Sequence, residues 1–247
     1  MTNSFLKSSK YYNIIYKKKN YLKEVNYINF FLKKNNMKIL EVGCGTGNHA
    51  KYFLKKGHKV FGIDKSKSMI NIANKNYKSI NLKFKCRTIE KINEKNSFDA
   101  CIALFHVVNY FASIRELKSF FKNSHRVLKK NSFLMFDFWN GKGVEKIPPK
   151  KSIKKVNKKN IKVVREGIPS LDKQKQIVKI RYKYKINLNR YNKTFYELHK
   201  IRYLFFDEIV KYSKKYFKVK YYRKWLSKTV KPGKTDWFSF IVLERKN

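Results

Sequence analysis

The stretch that most constrains the fold of this chain is an apolar strand that continues through an acid into a glycine-rich turn. Residues 39–47 read I-L-E-V-G-C-G-T-G, with the acid at Glu41. Because glycine has no side chain, a ligand can lie against the backbone of this turn. Glycines also adopt backbone angles that other residues resist. A second apolar run, Val60–Ile63, also ends in an acid, Asp64. Open α/β sheets bind ligands at the carboxyl ends of their strands, so both acids are expected at one site.

Short apolar runs alternate with amphipathic stretches from residue 38 onward. This alternation predicts an α/β fold class, a Rossmann-like, doubly wound and mostly parallel sheet covered by helices on both faces. Gly57 is typical of a helix end and Ser66 of a helix start. The expected strands are 39–42, 60–63, 82–84, 100–105 and 133–138, and the expected helices are 46–56, 66–76 and 113–129.

The regular alternation ends at Trp139. Glycines, prolines and lysines over 141–160 predict a mobile loop. The strict alternation of 177–188 predicts a half-buried antiparallel strand, with 195–206 as its partner. Asp207 is a candidate cap for a helix over 208–216, and two further strands are expected at 217–226 and 237–244.

These patterns divide the chain into four parts. We expect an N-terminal helical segment at 1–36, with helix spanning 5–36, and a Rossmann-like core at 37–140. An antiparallel β insertion that forms a lid is expected at 141–206. The C-terminal helix and last strands, at 207–247, are expected to complete the core sheet.

The chain is strongly basic, with 60 Lys+Arg against 16 Asp+Glu and a formal net charge of +44. Such a charge favours polyanion binding, because cationic side chains neutralise phosphates. However, 51 of the basic residues are lysine, whereas specific nucleic-acid sites favour arginine. Residues with A/T-rich codons (Lys, Asn, Ile, Phe and Tyr) also make up more than half the chain, which indicates compositional drift. Nucleic-acid binding is therefore considered but not favoured.

The glycine turn differs from two common phosphate-binding motifs. A P-loop needs G-K-[ST], which this turn lacks. The dinucleotide fingerprint is G-x-G-x-x-G, whereas the third glycine here comes one residue early and an acid precedes the first. An acid beside the turn repels a pyrophosphate and suits a ligand with positive charge or hydrogen-bond donors. Asp64, about 20 residues beyond the turn, is placed to accept from both hydroxyls of a ribose.

The sequence E-V-G-C-G-T-G, followed by G-I-D-K-S-x-x-M, resembles the class I S-adenosylmethionine-dependent methyltransferases. The resemblance continues through F-D-A at 98–100 and L-K-K-N-S-F at 128–133, and covers roughly residues 37–140. More loosely, the chain is similar to the small-molecule branch that contains glycine and nucleotide-sugar N-methyltransferases. That likeness rests on a tyrosine-rich N-terminal segment, on T-G-N-H at 46–49 and on H-K-I-R-Y-L-F at 199–205.

The resemblance implies S-adenosyl-L-methionine as the cofactor. Glu41 and the loop 43–47 would hold its methionine part, Asp64 its ribose hydroxyls, and Met69 would line the adenine pocket. The stretch 86–89 would supply the adenine edge contact. The family usually has an acid where Arg87 stands, so this contact is expected from backbone atoms or from Glu90. The cofactor-binding residues expected in all are Tyr12, Tyr21, Glu41, Gly43, Cys44, Gly45, Gly47, Asp64, Lys65, Met69, Arg87, Thr88 and Leu104.

His106 is the candidate catalytic residue, because it follows the fourth strand where such enzymes bring the acceptor to the methyl group. The alternative is that His106 has only a packing role beside Asn109 and Tyr110. Tyr12, Tyr16 and Tyr21 either close over the cofactor or form an aromatic face packed on the sheet. The lysines of 142–159 either recognise an anionic acceptor or are only solvated. No metal site is expected, because the histidines are not spaced as ligands.

The expected function is methyl transfer to the nitrogen or oxygen of a small-molecule acceptor, in the cytoplasm and away from membranes. An RNA or protein methyltransferase that uses the basic surface is the first alternative. Against it, no [DN]-P-P-[FY] follows the fourth strand, and the pyrimidine-methylase Pro-Cys is absent. A non-catalytic cofactor-binding module is the second, and the intact Glu41, glycine loop and Asp64 argue against it.

Overall fold

A seven-stranded sheet forms the centre of the computed structural model, which describes residues 5–32, 34–158, 160–188 and 191–247. Its five parallel strands are β1 (Lys38–Val42), β2 (Lys59–Asp64), β3 (Leu82–Cys86), β4 (Phe98–Ala103) and β5 (Leu128–Trp139). β11 (Phe238–Arg245) runs antiparallel to β5, and β10 (Phe217–Lys224) runs antiparallel to β11. The strand order is β10-β11-β5-β4-β1-β2-β3. The predicted mostly parallel sheet and its five expected strands are confirmed.

Helices cover the sheet because its central strands are apolar on both faces; Ile39 and Leu40 of β1 are both fully buried. The helices are α1 (Tyr12–Ile15), α2 (Tyr21–Leu32), α3 (Asn48–Lys55), α4 (Lys67–Asn76), α5 (Ile114–Val127), α6 (Gly141–Lys146) and α7 (Phe206–Ser213). The side chain of Ser66 accepts a hydrogen bond from the Met69 amide and caps α4, as predicted. Gly57, at φ +83°, follows the end of α3, as predicted.

A separate four-stranded antiparallel sheet lies between β5 and α7 in the sequence. We call it the small sheet; its strands are β6 (Ser152–Lys158), β7 (Ile161–Asp172), β8 (Ile177–Leu188) and β9 (Tyr191–Arg202). β8 pairs with β9 along its whole length, which confirms the predicted strand and its partner. Tyr184 and Ile186 of β8 are buried, and Ile15 of the N-terminal segment packs against them. The small sheet therefore covers the N-terminal segment with its apolar face.

Three local predictions were wrong. The predicted loop at 141–160 contains α6 and β6, because β6 pairs with β7 over Ser152–Lys158. Asp207 does not cap α7; it lies in the first turn, and the N-cap is Phe205, without a capping side chain. The helix predicted over 5–36 is broken at 16–20, between α1 and α2. The loop prediction rested on composition, the helix prediction on the spacing of apolar residues and the cap prediction on residue type, whereas pairing and packing with distant residues decide the structure.

No helix in the described ranges is long and apolar enough to cross a membrane.

Gly143→Ala tests whether α6 is packed as described. A Cβ at Gly143 would lie 2.2 Å from the carbonyl oxygen of Asp236, a backbone atom that cannot move alone. We expect the substitution to lower the free energy of unfolding by about 1–3 kcal/mol in urea titrations. Gly233→Ala is the control, because its Cβ would lie 3.4 Å from the Asp236 side chain; we expect a change within about 0.5 kcal/mol. Equal stabilities of the two variants would support the loop prediction instead.

Candidate active site

The turn between β1 and α3 holds three glycines in left-handed conformations. The φ angles of Gly43, Gly45 and Gly47 are +68°, +54° and +79°. Residues that have a side chain adopt such angles only with strain. A Cβ at Gly43 would lie 2.5 Å from the Val107 side chain, and one at Gly47 would lie 2.7 Å from Phe84. A Cβ at Gly45 would meet no described atom within 4 Å. Close packing therefore fixes the ends of the turn, while its middle borders open space.

Asp64, the last residue of β2, is joined to this turn by hydrogen bonds. The Gly45 amide donates to its Oδ2 at 2.9 Å, and the Ser66 amide donates to its Oδ1 at 2.8 Å. Burial raises the pKa of Asp64 above its usual value, although both amides act to lower it. Each carboxylate oxygen retains a second lone pair, so the side chain can still accept from two ligand hydroxyls.

Glu41 is the most deeply buried acid of the turn, with 1% of its surface exposed. Burial, and then the negative charge of Asp64, raise the pKa of Glu41 to about 8. Its Oε2 has no hydrogen-bond partner among the described residues. The Nδ1 of His49 lies 3.6 Å from its Oε1, and the Nε2 of His49 lies 2.6 Å from Glu24, which also pairs with Lys19. The pocket therefore holds a buried carboxyl group that lacks a full cationic partner.

The N-terminal segment closes on the turn through a small polar network. Thr46 Oγ1 donates to Asn13 Oδ1 at 2.7 Å, and the side-chain Nδ2 of Asn48 donates to the same atom at 3.0 Å. The ring of Tyr21 contacts His49 edge-on at 4.9 Å between centroids. Burial raises the pKa of Tyr12, and the charge of Asp64 is among the smaller contributions. Tyr12 and Tyr21 are thus brought beside the turn, and Asn13 is a contact that the sequence analysis missed.

The remaining residues predicted to bind the cofactor lie around the ends of β2, β3 and β4. Met69 and Leu104 are buried, as is Cys44 in the turn. The amide of Arg87 donates to the backbone carbonyl of Asp64 at 3.0 Å, which ties β3 to the site. The side chains of Lys65, Arg87 and Thr88 are exposed. Glu90, the alternative for the adenine edge, accepts a hydrogen bond from Ser119 at 2.8 Å.

A histidine and a buried carboxylate meet where β4 and β5 end. The Nδ1 of His106 lies 2.6 Å from Oδ2 of Asp137, an ion-pair distance at an angle outside hydrogen-bond geometry. The His106 amide also donates to both oxygens of Asp137 at 3.2 Å. Burial acts to raise the pKa of Asp137, but the nearby His106 imidazole and the hydrogen bonds from the His106 backbone amide outweigh burial, and the pKa is lowered.

The backbone around His106 is strained. Phe105 and His106 are consecutive non-glycine residues at φ +65° and +62°. A left-handed conformation costs roughly 1–2 kcal/mol per residue, and such strain concentrates at functional sites. The imidazole also stacks on Phe238, with 4.9 Å between ring centroids. The sequence analysis missed Asp137, although a lone acid in the apolar run 133–138 is a signal that could have identified it.

Comparisons with known proteins find similarity to methyltransferases. Residues 39–131 match a family described as "Methyltransferase domain". A ubiquinone biosynthesis O-methyltransferase of Pelagibacter ubique (strain HTCC1062) is 30% identical over 123 residues, which cover 49% of this chain and 50% of that protein. The chain thus spans about half the length of this curated relative.

Two solved structures share nearly the whole fold. An S-adenosylmethionine-dependent methyltransferase from Clostridium acetobutylicum ATCC 824 has a TM-score of 0.78 and 21% identity, covering 95% of this chain and 96% of that one. An amino pentose methyltransferase from Micromonospora echinaspora, solved with S-adenosylmethionine bound, has a TM-score of 0.74 and 16% identity, covering 93% of each chain.

The fold is that of the class I S-adenosylmethionine-dependent methyltransferases, as the sequence predicted. Residues 39–131, from β1 into the start of β5, are the part of the chain that matches the methyltransferase-domain family.

Glu41→Gln tests the raised pKa with no ligand added. In the unfolded chain, Glu41 loses its proton near its ordinary pKa of 4.5. In the folded protein, Glu41 keeps this proton until about pH 8. Between these values the unfolded state binds fewer protons, so the stability of the wild type falls as pH rises, by up to about 1.4 kcal/mol per pH unit.

We therefore expect urea unfolding from pH 5.5 to 8.5 to give a stability difference that grows in favour of the glutamine variant and levels off above pH 8. A difference that is independent of pH would contradict the raised pKa.

Proposed function

We propose that this chain is an S-adenosylmethionine-dependent methyltransferase that acts on a small-molecule acceptor. The observation that carries the proposal is the juxtaposition of an open glycine turn, the Asp64 carboxylate and the unpaired, buried Glu41. A sulfonium cofactor has a cationic amino end that can pair with Glu41 and ribose hydroxyls that can donate to Asp64.

Each residue has a role in this proposal. Glu41 and the turn amides hold the methionine end, and Asp64 accepts from the ribose hydroxyls. The adenine lies against Met69 and the stretch 86–89. The other expected cofactor contacts, made by the residues around this centre, are Tyr12, Tyr21, Cys44, Lys65 and Leu104. The small sheet, within the insertion 141–206, acts as a lid that excludes water.

When bound, the cofactor supplies an activated methyl group on a sulfonium, so the protein needs only to orient the acceptor and manage one proton. For a hydroxyl acceptor, the Nε2 of His106 takes that proton. Asp137 holds Nδ1 on the opposite side of the ring and is a positioning residue, since it acts through His106. The strained backbone at Phe105 and His106 keeps the imidazole at the end of β4.

A polymer acceptor is the alternative, and the basic surface is what favours it. The exposed face of β8 carries Lys179, Arg181 and Lys185, which can attract RNA without reading its sequence. The site itself favours a small acceptor, because the N-terminal segment contacts the turn through Asn13 and the small sheet packs on that segment. The lysines of 142–159 then serve an anionic group on that acceptor.

Asp64→Ala is expected to weaken S-adenosylmethionine binding at least about tenfold. Each hydrogen bond to a charged acceptor is worth roughly 1.5–3 kcal/mol, and 1.4 kcal/mol is a factor of about ten. Asp64→Asn should cost less, since its amide oxygen still accepts. Asp99→Ala is the control: Asp99 pairs with Lys129 at the opposite end of β4, and calorimetric affinity should not change. Unchanged affinity in a folded Asp64→Ala variant contradicts the proposed ribose contact.

Asp137→Asn tests the histidine pair. We expect His106→Ala to lower the initial rate of methyl transfer to a hydroxyl acceptor about 100-fold or more at saturating cofactor. Asp137→Asn should lower the same rate, while both variants keep the wild-type dissociation constant for the cofactor. Labelled cofactor and small-molecule extract provide the assay, with thermal melts as a check on folding. If Asp137→Asn lowers cofactor affinity and rate together, Asp137 has only a structural role.

A further inference from the structure

A groove of about 440 Å³ lies between the end of β5 and the small sheet. Trp139 and Trp237 line it from the core, and Ile180 and Tyr182 of β8 line it from the small sheet. Pro148, in the connection between α6 and β6, completes one side. The volume lies within the roughly 300–1,000 Å³ of typical small-molecule sites.

This groove lies next to the histidine pair. The ring centroids of His106 and Trp139 are 6.1 Å apart, and those of Trp139 and Trp237 are 5.2 Å apart. His106 also stacks on Phe238, the residue that follows Trp237. A molecule that rests on Trp139 therefore lies close to the imidazole that the proposed function uses as a base.

We propose that the groove is the acceptor site and that it takes a planar aromatic compound bearing a hydroxyl group, rather than a sugar. This inference rests on the proposed function and names the substrate class of the same site.

The lining distinguishes the two classes of acceptor. Its side chains that carry a charge or a hydroxyl are those of Lys150, Ser152 and Tyr182; the other lining residues are tryptophan, proline, isoleucine and glycine. A sugar brings several hydroxyls, and each one left without a partner keeps its desolvation cost. An aromatic ring instead gains from contact with the indoles and needs partners only at its substituents. Lys150 can pair with an acidic substituent.

An unpaired donor among the lining residues supports this assignment. The indole N–H of Trp139 is buried and has no acceptor among the described residues. The indole N–H of Trp237, by contrast, donates to the carbonyl of Ile147 at 2.9 Å. Buried donors without partners are rare and costly, so an oxygen on the acceptor is the fitting partner for Trp139.

The bond changes follow from this placement. The phenolic oxygen forms the new bond to the methyl carbon, the bond between that carbon and the sulfonium sulfur breaks with its electron pair left on sulfur, and the Nε2 of His106 receives the phenolic proton. No further reactant is needed.

Calorimetric titration of the full chain with 2-naphthol, a neutral two-ring phenol, tests the inference, with D-glucosamine as the sugar probe. We expect saturable one-site binding of 2-naphthol and none of glucosamine at equal concentrations. Trp237→Leu should weaken 2-naphthol binding roughly tenfold through loss of aromatic contact. Trp139→Phe, which keeps a ring but removes the N–H, should weaken it less.

Trp225→Leu is the matched control, because Trp225 packs against Phe240 and Tyr27 away from the groove, and naphthol affinity should stay within about twofold of the wild type. Thermal melts check that each variant is folded. The inference is overturned if 2-naphthol does not bind saturably, if glucosamine binds more tightly, or if both groove variants bind naphthol like the wild type.

Titration of the same samples with S-adenosylmethionine separates the two proposals. Cofactor binding without naphthol binding overturns only the inference on the acceptor. If the wild type does not bind S-adenosylmethionine, the proposed function itself is overturned.

Discussion

Glu41 lies buried beside Asp64 toward the carboxyl ends of the parallel strands, and the geometry of the site follows from the cost of burying two acidic side chains there. The chain has 60 Lys and Arg residues. Among the described residues, however, the one ion pair of Glu41 is with His49, whose Nδ1 lies 3.6 Å from Oε1 of Glu41. Glu41 consequently keeps its proton until about pH 8. Asp64 is held by two amides instead of a cation. In the proposed function, a cationic ligand with hydroxyls would satisfy both acids at once.

Much of this arrangement could be predicted from the sequence, because it depends on local rules. Apolar runs that end in acids place Glu41 and Asp64 at one edge of a parallel sheet, and the glycine spacing predicts the left-handed turn. Ser66 and Gly57 mark helix ends through their own backbone and side-chain chemistry.

The rest depends on contacts between distant residues, which single-sequence reasoning cannot supply. Asp137 acquires a partner only because β5 lies beside β4 and the backbone at His106 turns toward it. The stretch 141–160 has the composition of a loop, yet Gly143 packs on Asp236, more than ninety residues away. The aromatic groove likewise exists only once the small sheet folds back toward Trp139 and Trp237.

The central claim is methyl transfer to a small molecule, and one measurement tests it directly. The purified chain is incubated with methyl-labelled S-adenosylmethionine and a whole-cell extract, which is then separated into low-molecular-weight compounds, RNA and protein. The account predicts label in the low-molecular-weight fraction, and its loss with Asp64→Ala. Label that appears only in RNA or protein, or in no fraction beyond that of an enzyme-free control, would contradict it.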